Sequence, residues 1–365
     1  MQKQGKTRVV LMCFLAFFVL AAGVGDLYSC TTFCLKGGGR IVVGKNYDWM
    51  IESGMLVTNM RNMAKTALVE EGERPARWVS KYGSITFNQY GREFPNGGMN
   101  EAGLVVEVMV SKVEYPAPDE RPTMESLSWV QYQLDNHRTV QEVIASNKQI
   151  SIRNKSVAPI HFMVCDKEGN TATIDFIGGE FVCHVNDNMP LKVLTNNPYN
   201  ESVDYFCSVQ TGKTKPVPGA GNSLNRFKTA SAMIIDYSAR PTKPIVDYGF
   251  EVSDAVGVGG TQWKIIYDVT NLEINFKTRT KDKIKKVRLS QFDFGGSGPV
   301  KIFKLLEGDY SGKIDQYFMP YDSNYNKKLV FENCRNTTRY GVDMFPEEYL
   351  EKIAGYPETT RRIRR

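Results

Sequence analysis

The chain has 365 residues, 42% hydrophobic and 24% charged, with a formal net charge of +6. Those are globular values and exclude a disordered, collagen-like or low-complexity chain. Much of the excess charge sits at the end, in Arg361, Arg362, Arg364 and Arg365. No basic stripe with interleaved aromatics runs elsewhere, so no nucleic-acid partner is expected.

The first element is a leader. Lys3, Lys6 and Arg8 precede an almost wholly apolar run over residues 9–24, and Leu27-Tyr28-Ser29 then leads to Cys30. A positive start, a short apolar stretch and a small residue at the cut predict a secretory signal peptide over residues 1–29. The remaining chain would be exported, to the periplasm or the extracellular space. It contains no second apolar run of the ~18 residues needed to cross a bilayer, so no stable membrane span is expected after processing. Two other readings of Cys30 stay open. Leu-Tyr-Ser-Cys resembles a lipobox, in which Cys30 would be lipidated, although Tyr28 suits that pattern poorly. A buried strand thiol is the third.

Cys30-Thr31 opens a β-rich region. Thr31–Leu35 and Ile41–Gly44 read as strands joined at Gly37-Gly38-Gly39. Further β-like runs are Ser84–Phe87, Leu104–Val110, His161–Val164, Thr171–Phe176, Phe181–Val185 and Leu191–Thr195, with a late pair at Thr261–Val269 and Leu272–Lys277. Gly178-Gly179 marks a second hairpin. A helical block runs from Met124 to about Asn147, where Met124, Leu127, Val130 and Leu134 share one face. Within it, Thr139 and Glu142 form a capping box that starts a second helix. Another helix runs from Ser223 through Tyr237. No linker divides the chain, so residues 30–350 form one domain and 351–365 a basic, solvated tail.

Six cysteines follow the leader, too sparse and irregular for a disulfide framework. The three histidines are scattered and no zinc or haem signature is present, so no metal is expected. The cysteine with chemistry is Cys30. Cleavage before it leaves thiol and α-amine on one residue, and an α-amine titrates near ~7.7–8.0, low enough to act as base for its own side chain. Gly44-Lys45-Asn46-Tyr47-Asp48-Trp49 ends the second strand of the hairpin, which brings Lys45 or Asp48 beside Cys30. The cation would favour thiolate and the carboxylate would hold the amine. On spacing alone, a capping Asp48 and a solvated Lys45 are the favoured reading.

These residues, with Gly98-Met99-Asn100-Glu101-Ala102-Gly103-Leu104, Ser128-Trp129-Val130-Gln131-Tyr132, Leu194-Thr195-Asn196-Asn197-Pro198, Asn225-Arg226-Phe227 and Thr261–Phe276, resemble the choloylglycine hydrolase family in the family's own order. That family comprises bile salt hydrolases and penicillin V acylases, which are N-terminal-nucleophile hydrolases. The resemblance implies an α+β fold, the four-layer αββα sandwich of two antiparallel sheets flanked by helices. It implies Cys30 as nucleophile, Asp48 as holder of its amine, and an oxyanion hole from the Asn196 side chain and the Val110 backbone N–H. Arg226 matches an active-site arginine, and Lys45 stands where most relatives carry arginine. The implied reaction is hydrolysis of a linear carbon–nitrogen amide bond through an acyl-thioester. The implied substrate is a small-molecule N-acyl amide, with conjugated bile salts slightly ahead of penicillin V. An N-acyl homoserine lactone or N-acyl ethanolamine is also conceivable, as is a lipid-anchored, non-catalytic binding protein of the same fold. Family precedent suggests a homotetramer. Met50, Met55, Met60 and Met63 are candidates for an apolar acyl pocket, although plain core is the commoner fate of such residues.

Overall fold

Gly38 and Gly39 adopt φ of +58° and +72°, and this two-residue turn folds Thr31–Gly37 back on Arg40–Asp48. Two successive left-handed residues give the turn whose twist matches that of a strand pair, and glycine adopts it without steric cost. The register pairs Thr31 with Asn46, so Cys30 falls opposite the Tyr47–Asp48 end of the second strand. Phe33 faces Gly44 across the ladder, where its ring fills the space a Cβ would need.

The computed structural model describes residues 29–153, 158–219, 221–338 and 345–363. The expected leader lies outside them, apart from Ser29. Around the hairpin grows a front sheet of seven strands, in the order Val193–Leu194, Thr31–Gly37, Arg40–Asp48, Thr261–Asp268, Glu273–Thr278, Lys285–Arg288 and Gly312–Lys313. All neighbours are antiparallel except the last pair. A rear sheet of nine strands, antiparallel throughout, has Ile160–Cys165 and Val105–Val110 near its middle. Helices Ser223–Ala239 and Ile245–Ala255 cover the front sheet, and helix Ser126–Asn136 covers the rear one. The result is the expected αββα sandwich.

Strand alternation sorts the residues between layers. Thr32 and Cys34 point into the gap between the sheets, where they meet Met109 and Cys165 of the rear sheet. Phe33 points to the helices. Lys45 and Tyr47 face the rear sheet and reach Val108 and Gln89, whereas Asn46 reaches Ser253 in a covering helix. The site therefore forms where the hairpin's open end meets both neighbouring layers.

Several elements differ from the sequence reading. The first helix starts at Ser126, because Met124 belongs to Thr123–Glu125, a short strand paired in parallel with Ser151–Arg153. The Thr139–Glu142 capping box is present and opens helix Val140–Ser146. The expected solvated tail is a correction: residues 347–355 form a helix and Arg361–Arg362 pair with Met63–Ala64. Leu350, Ile353, Ala354 and Tyr356 are buried there, and that apolar stripe holds the segment down against its charge. The acyl-pocket reading of the methionines is a correction, and the plain-core reading holds for Met55. Met55 is core beside Val57, Ile302 and Leu329, and Met60 and Met63 border a surface cleft with Arg92 and Tyr321. None of them, nor Met50, lines the cavity at Cys30. No helix among the described residues is long and apolar enough to cross a membrane.

Candidate active site

Cys30 is buried, and its thiol donates to the Asp48 carbonyl at 3.7 Å, as the hairpin register requires. With Ser29 still attached, burial pushes the thiol above its ordinary value. Lys45 and Arg226 pull it back, and the Asp48 charge adds to the rise. The thiol is therefore protonated and quiet in this form of the chain.

Asp48 is fully buried, and neither carboxylate oxygen meets a donor at hydrogen-bonding geometry. Burial raises it to about 6, against the pull of Arg226, the Thr261 side chain and Lys45. A buried carboxylate without a donor is costly unless a cation belongs beside it.

Arg226, on helix Ser223–Ala239, ties the site together. Nη1 donates to the Cys30 carbonyl and to Thr31 Oγ1, both at 2.6 Å, Nη2 donates to Asn196 Oδ1 at 2.8 Å, and Nε donates to the Gly221 carbonyl at 2.9 Å. A planar fork can serve several acceptors at once, which an ammonium cannot. Asn196 in turn donates its Nδ2 to the Val110 carbonyl at 2.7 Å. The structure thus brings Cys30, Asp48, Arg226, Asn196 and Val110 into one connected group.

Lys45 is buried and not a solvated charge. Its Nζ donates to the Val108 carbonyl and lies 3.9 Å from Glu107 Oε2. Glu107 was not among the sequence candidates. Burial raises it to about 7, with Lys45 and a Tyr267 hydroxyl that donates to Oε1 at 2.5 Å working the other way. Gly97, across the ladder, leaves room for this carboxylate, since a Cβ there would lie 2.3 Å from it. One signal was available in the sequence: Glu107 is the single charge in the run Val105–Val110.

An apolar cavity opens on Cys30, walled by Tyr47, Trp49, Tyr90, Leu127, Val110 and Ile160. Trp49 Nε1 donates to the Tyr90 hydroxyl at 2.6 Å, which fixes two of these walls. The free volume is about 30 Å³, the share of one water in the liquid. Among the described residues, no cluster of histidine, cysteine or acidic side chains is arranged to hold a metal ion.

Solved structures share this layered fold. The structure of penicillin V acylase from Agrobacterium tumefaciens matches with a TM-score of 0.70 and 24% identity, covering 80% of this chain and 98% of that one. A variant of conjugated bile acid hydrolase from Clostridium perfringens matches with a TM-score of 0.62 and 17% identity, covering 75% and 97%. Penicillin V acylase from Pectobacterium atrosepticum is 24% identical over 374 aligned positions, covering 88% of this chain and 98% of that protein. The chain belongs to the choloylglycine hydrolase family of linear amide C–N hydrolases, whose pattern residues 30–215 match. It is accordingly a hydrolase of linear amides.

Proposed function

We propose that the chain is exported, that residues 1–29 are removed, and that the exposed Cys30 hydrolyses a small N-acyl amide with a flat, apolar acyl group. The observation that carries this reading is the fully buried Asp48 carboxylate at the open end of the hairpin, which has the Thr261 side chain and the charges of Arg226 and Lys45 near it but, among the described residues, no ion-pair contact of its own. Cleavage before Cys30 would create an α-ammonium beside it, the one partner that the site lacks. The ion pair would hold the amine, and its neutral form would take the thiol proton.

The thiolate then attacks the amide carbonyl. The oxyanion is received by the Asn196 amide, which exchanges the Val110 carbonyl for the substrate, and by the Val110 N–H. The Cys30 ammonium protonates the departing amine. Water next attacks the acyl-thioester with the α-amine again as base, and the free acid leaves. Arg226 fixes Cys30 and Asn196 relative to each other throughout, and no step calls for a cofactor.

The acyl group would enter the cavity that opens on Cys30, with Trp49 and Tyr90 among its walls. That space is narrow and aromatic and must widen to admit any acyl group, and a flat phenoxyacetyl group of the penicillin V type would require less widening than a steroid. This reverses the order suggested by the sequence, and the acylase relatives support it.

The test compares chains beginning at Cys30 with chains retaining Ser29, on penicillin V and on glycine- and taurine-conjugated bile salts. Only the processed chain should turn over substrate, and its Cys30→Ser variant should be inactive. Equal activity with Ser29 in place would mean that another group serves as base. An acylated amine on the native N-terminus, found by mass spectrometry, would favour the lipid-anchored alternative.

A further inference from the structure

The rear sheet sends one histidine into the gap between the sheets, close to the proposed oxyanion donor. His161 and Asp175 are both buried, on neighbouring strands. His161 Nδ1 lies 2.6 Å from Asp175 Oδ1, and Nε2 lies 2.7 Å from the Thr195 carbonyl. A carbonyl only accepts, so Nε2 carries a hydrogen and donates it. The contact between Nδ1 and the carboxylate takes a further proton, shared within the pair.

Thr195 immediately precedes Asn196, so the carbonyl held by His161 is one half of the peptide that places Asn196. The other half, the Asn196 N–H, donates to Ser223 Oγ at 2.9 Å, and Ser223 donates to Thr195 Oγ1 at 3.0 Å. The peptide plane is gripped at both poles, and only the Asn196 side-chain torsions remain to be set. Arg226 and the Val110 carbonyl set those. Thr195 also lies just beyond the two-residue strand Val193–Leu194, so no ladder partner fixes it. The rear sheet supplies the constraint that the front sheet omits.

We infer that His161, oriented by Asp175, is a positioning residue for Asn196 and so for the oxyanion hole. This role rests on Asn196 serving as the oxyanion donor, as proposed for the reaction. A donor must sit at the place where charge develops, and a misplacement of about 1 Å can cost 10²-fold in rate. Holding a backbone carbonyl across the gap is a way to prevent that drift, and an imidazole backed by a carboxylate is a stiff way to do it.

The experiment uses the processed chain and penicillin V as probe. His161→Leu should lower kcat by about 10–10²-fold with KM nearly unchanged, and Cys30 should react with iodoacetamide at the wild-type rate. Combined with Asn196→Ala, it should cost nothing further, because both changes spoil one donor. Asp175→Asn can present an amide hydrogen to Nδ1 and keep Nε2–H on Thr195, so it should lose less than His161→Leu. His161→Gln, which retains a donor, carries the test if the leucine variant does not fold.

A folded His161 variant with wild-type kcat would overturn the inference, as would losses that multiply with that of Asn196→Ala. Failure of every His161 variant to fold would reduce the pair to scaffold and overturn it too. Full activity in Asn196→Ala removes the oxyanion reading itself, whereas a crippled Asn196→Ala beside an unaffected His161→Leu removes only the positioning role of His161.

Discussion

Replacing Arg226 by lysine tests whether the site is joined by a guanidinium fork or merely by a positive charge. The tip of Arg226 makes three hydrogen bonds to site residues, to the Cys30 carbonyl, Thr31 Oγ1 and Asn196 Oδ1. A lysine nitrogen at the same depth can keep one of them. Each charge-assisted bond contributes roughly 1.5–3 kcal/mol net, so two lost bonds give about 3–6 kcal/mol. The groups share one network and the charge survives, which places the expected cost near the lower end. That cost divides between stability and turnover. We expect kcat on penicillin V to fall about 10²-fold, equivalent to about 2.7 kcal/mol, with a small loss in the urea midpoint. Arg226→Met should do worse in a recognisable way. Without the cation, Asp48 and the Cys30 thiol both lose a group that holds them down, so their titrations move upward and the acidic limb of the kcat profile moves with them. A lysine variant with wild-type kcat and midpoint would refute the reasoning, because the fork would then join nothing.

Asp48→Asn in the processed chain should cut kcat severely and leave KM nearly unchanged, since the residue is proposed to hold the amine and not the acyl group. A change confined to KM would assign it to binding. Gly44→Ala would set a Cβ 2.0 Å from the buried Phe33 ring, an overpacking that should cost about 1–3 kcal/mol by thermal melting. Adding Phe33→Leu should return part of it, and an unchanged melting temperature for Gly44→Ala alone would contradict the packing described. Glu107 supplies a pH signature. Its carboxyl titrates near 7 in the folded chain against 4.5 ordinarily, so the folded state binds this proton more tightly. The corresponding stability is present below about 4.5 and is lost as pH rises through 7, amounting to at most about 3 kcal/mol. Glu107→Gln should flatten that fall, and an unaltered slope in urea unfolding across pH 4.5–7.5 would exclude the buried Lys45–Glu107–Tyr267 cluster as its source.

What could be read from the sequence was local. Gly38-Gly39 announced the hairpin because positive φ at two adjacent positions is a demand few residues meet. Thr139 and Glu142 announced a helix start because capping is a contact between near neighbours. Asp48 and Cys30 were brought together by counting along those two strands. Met55–Asn59 is buried along its whole length, so its sequence shows no alternation and gave no strand signal. Helix Ser323–Thr338 is mostly polar, with too few apolar residues to define a stripe that the sequence could show. The roles of Glu107 and His161 depend on partners far away in the chain, Lys45 and Thr195, which no pattern within a strand can show. The four methionines were spaced suggestively but belong to different surfaces, because Met55 is core and Met60 and Met63 border the cleft at Arg92.

The two-residue turn at Gly38-Gly39 lies at the far end of the hairpin, about seven residues or roughly 23 Å from Cys30. Its influence on the site is arithmetic. Inserting or deleting one residue there would slide one strand by a single step, and a single step exchanges the two faces of a strand. Lys45 would trade places with Gly44 or Asn46, Asp48 would turn from the helices toward the rear sheet, and the Phe33 ring would meet a side chain where it now finds hydrogen. Substitutions at Gly38 or Gly39 strain the turn locally and leave the register in place, whereas a change in its length moves the register itself. Descendants of this chain should therefore vary at Lys36 and Arg40 far more freely than in the number of residues between them.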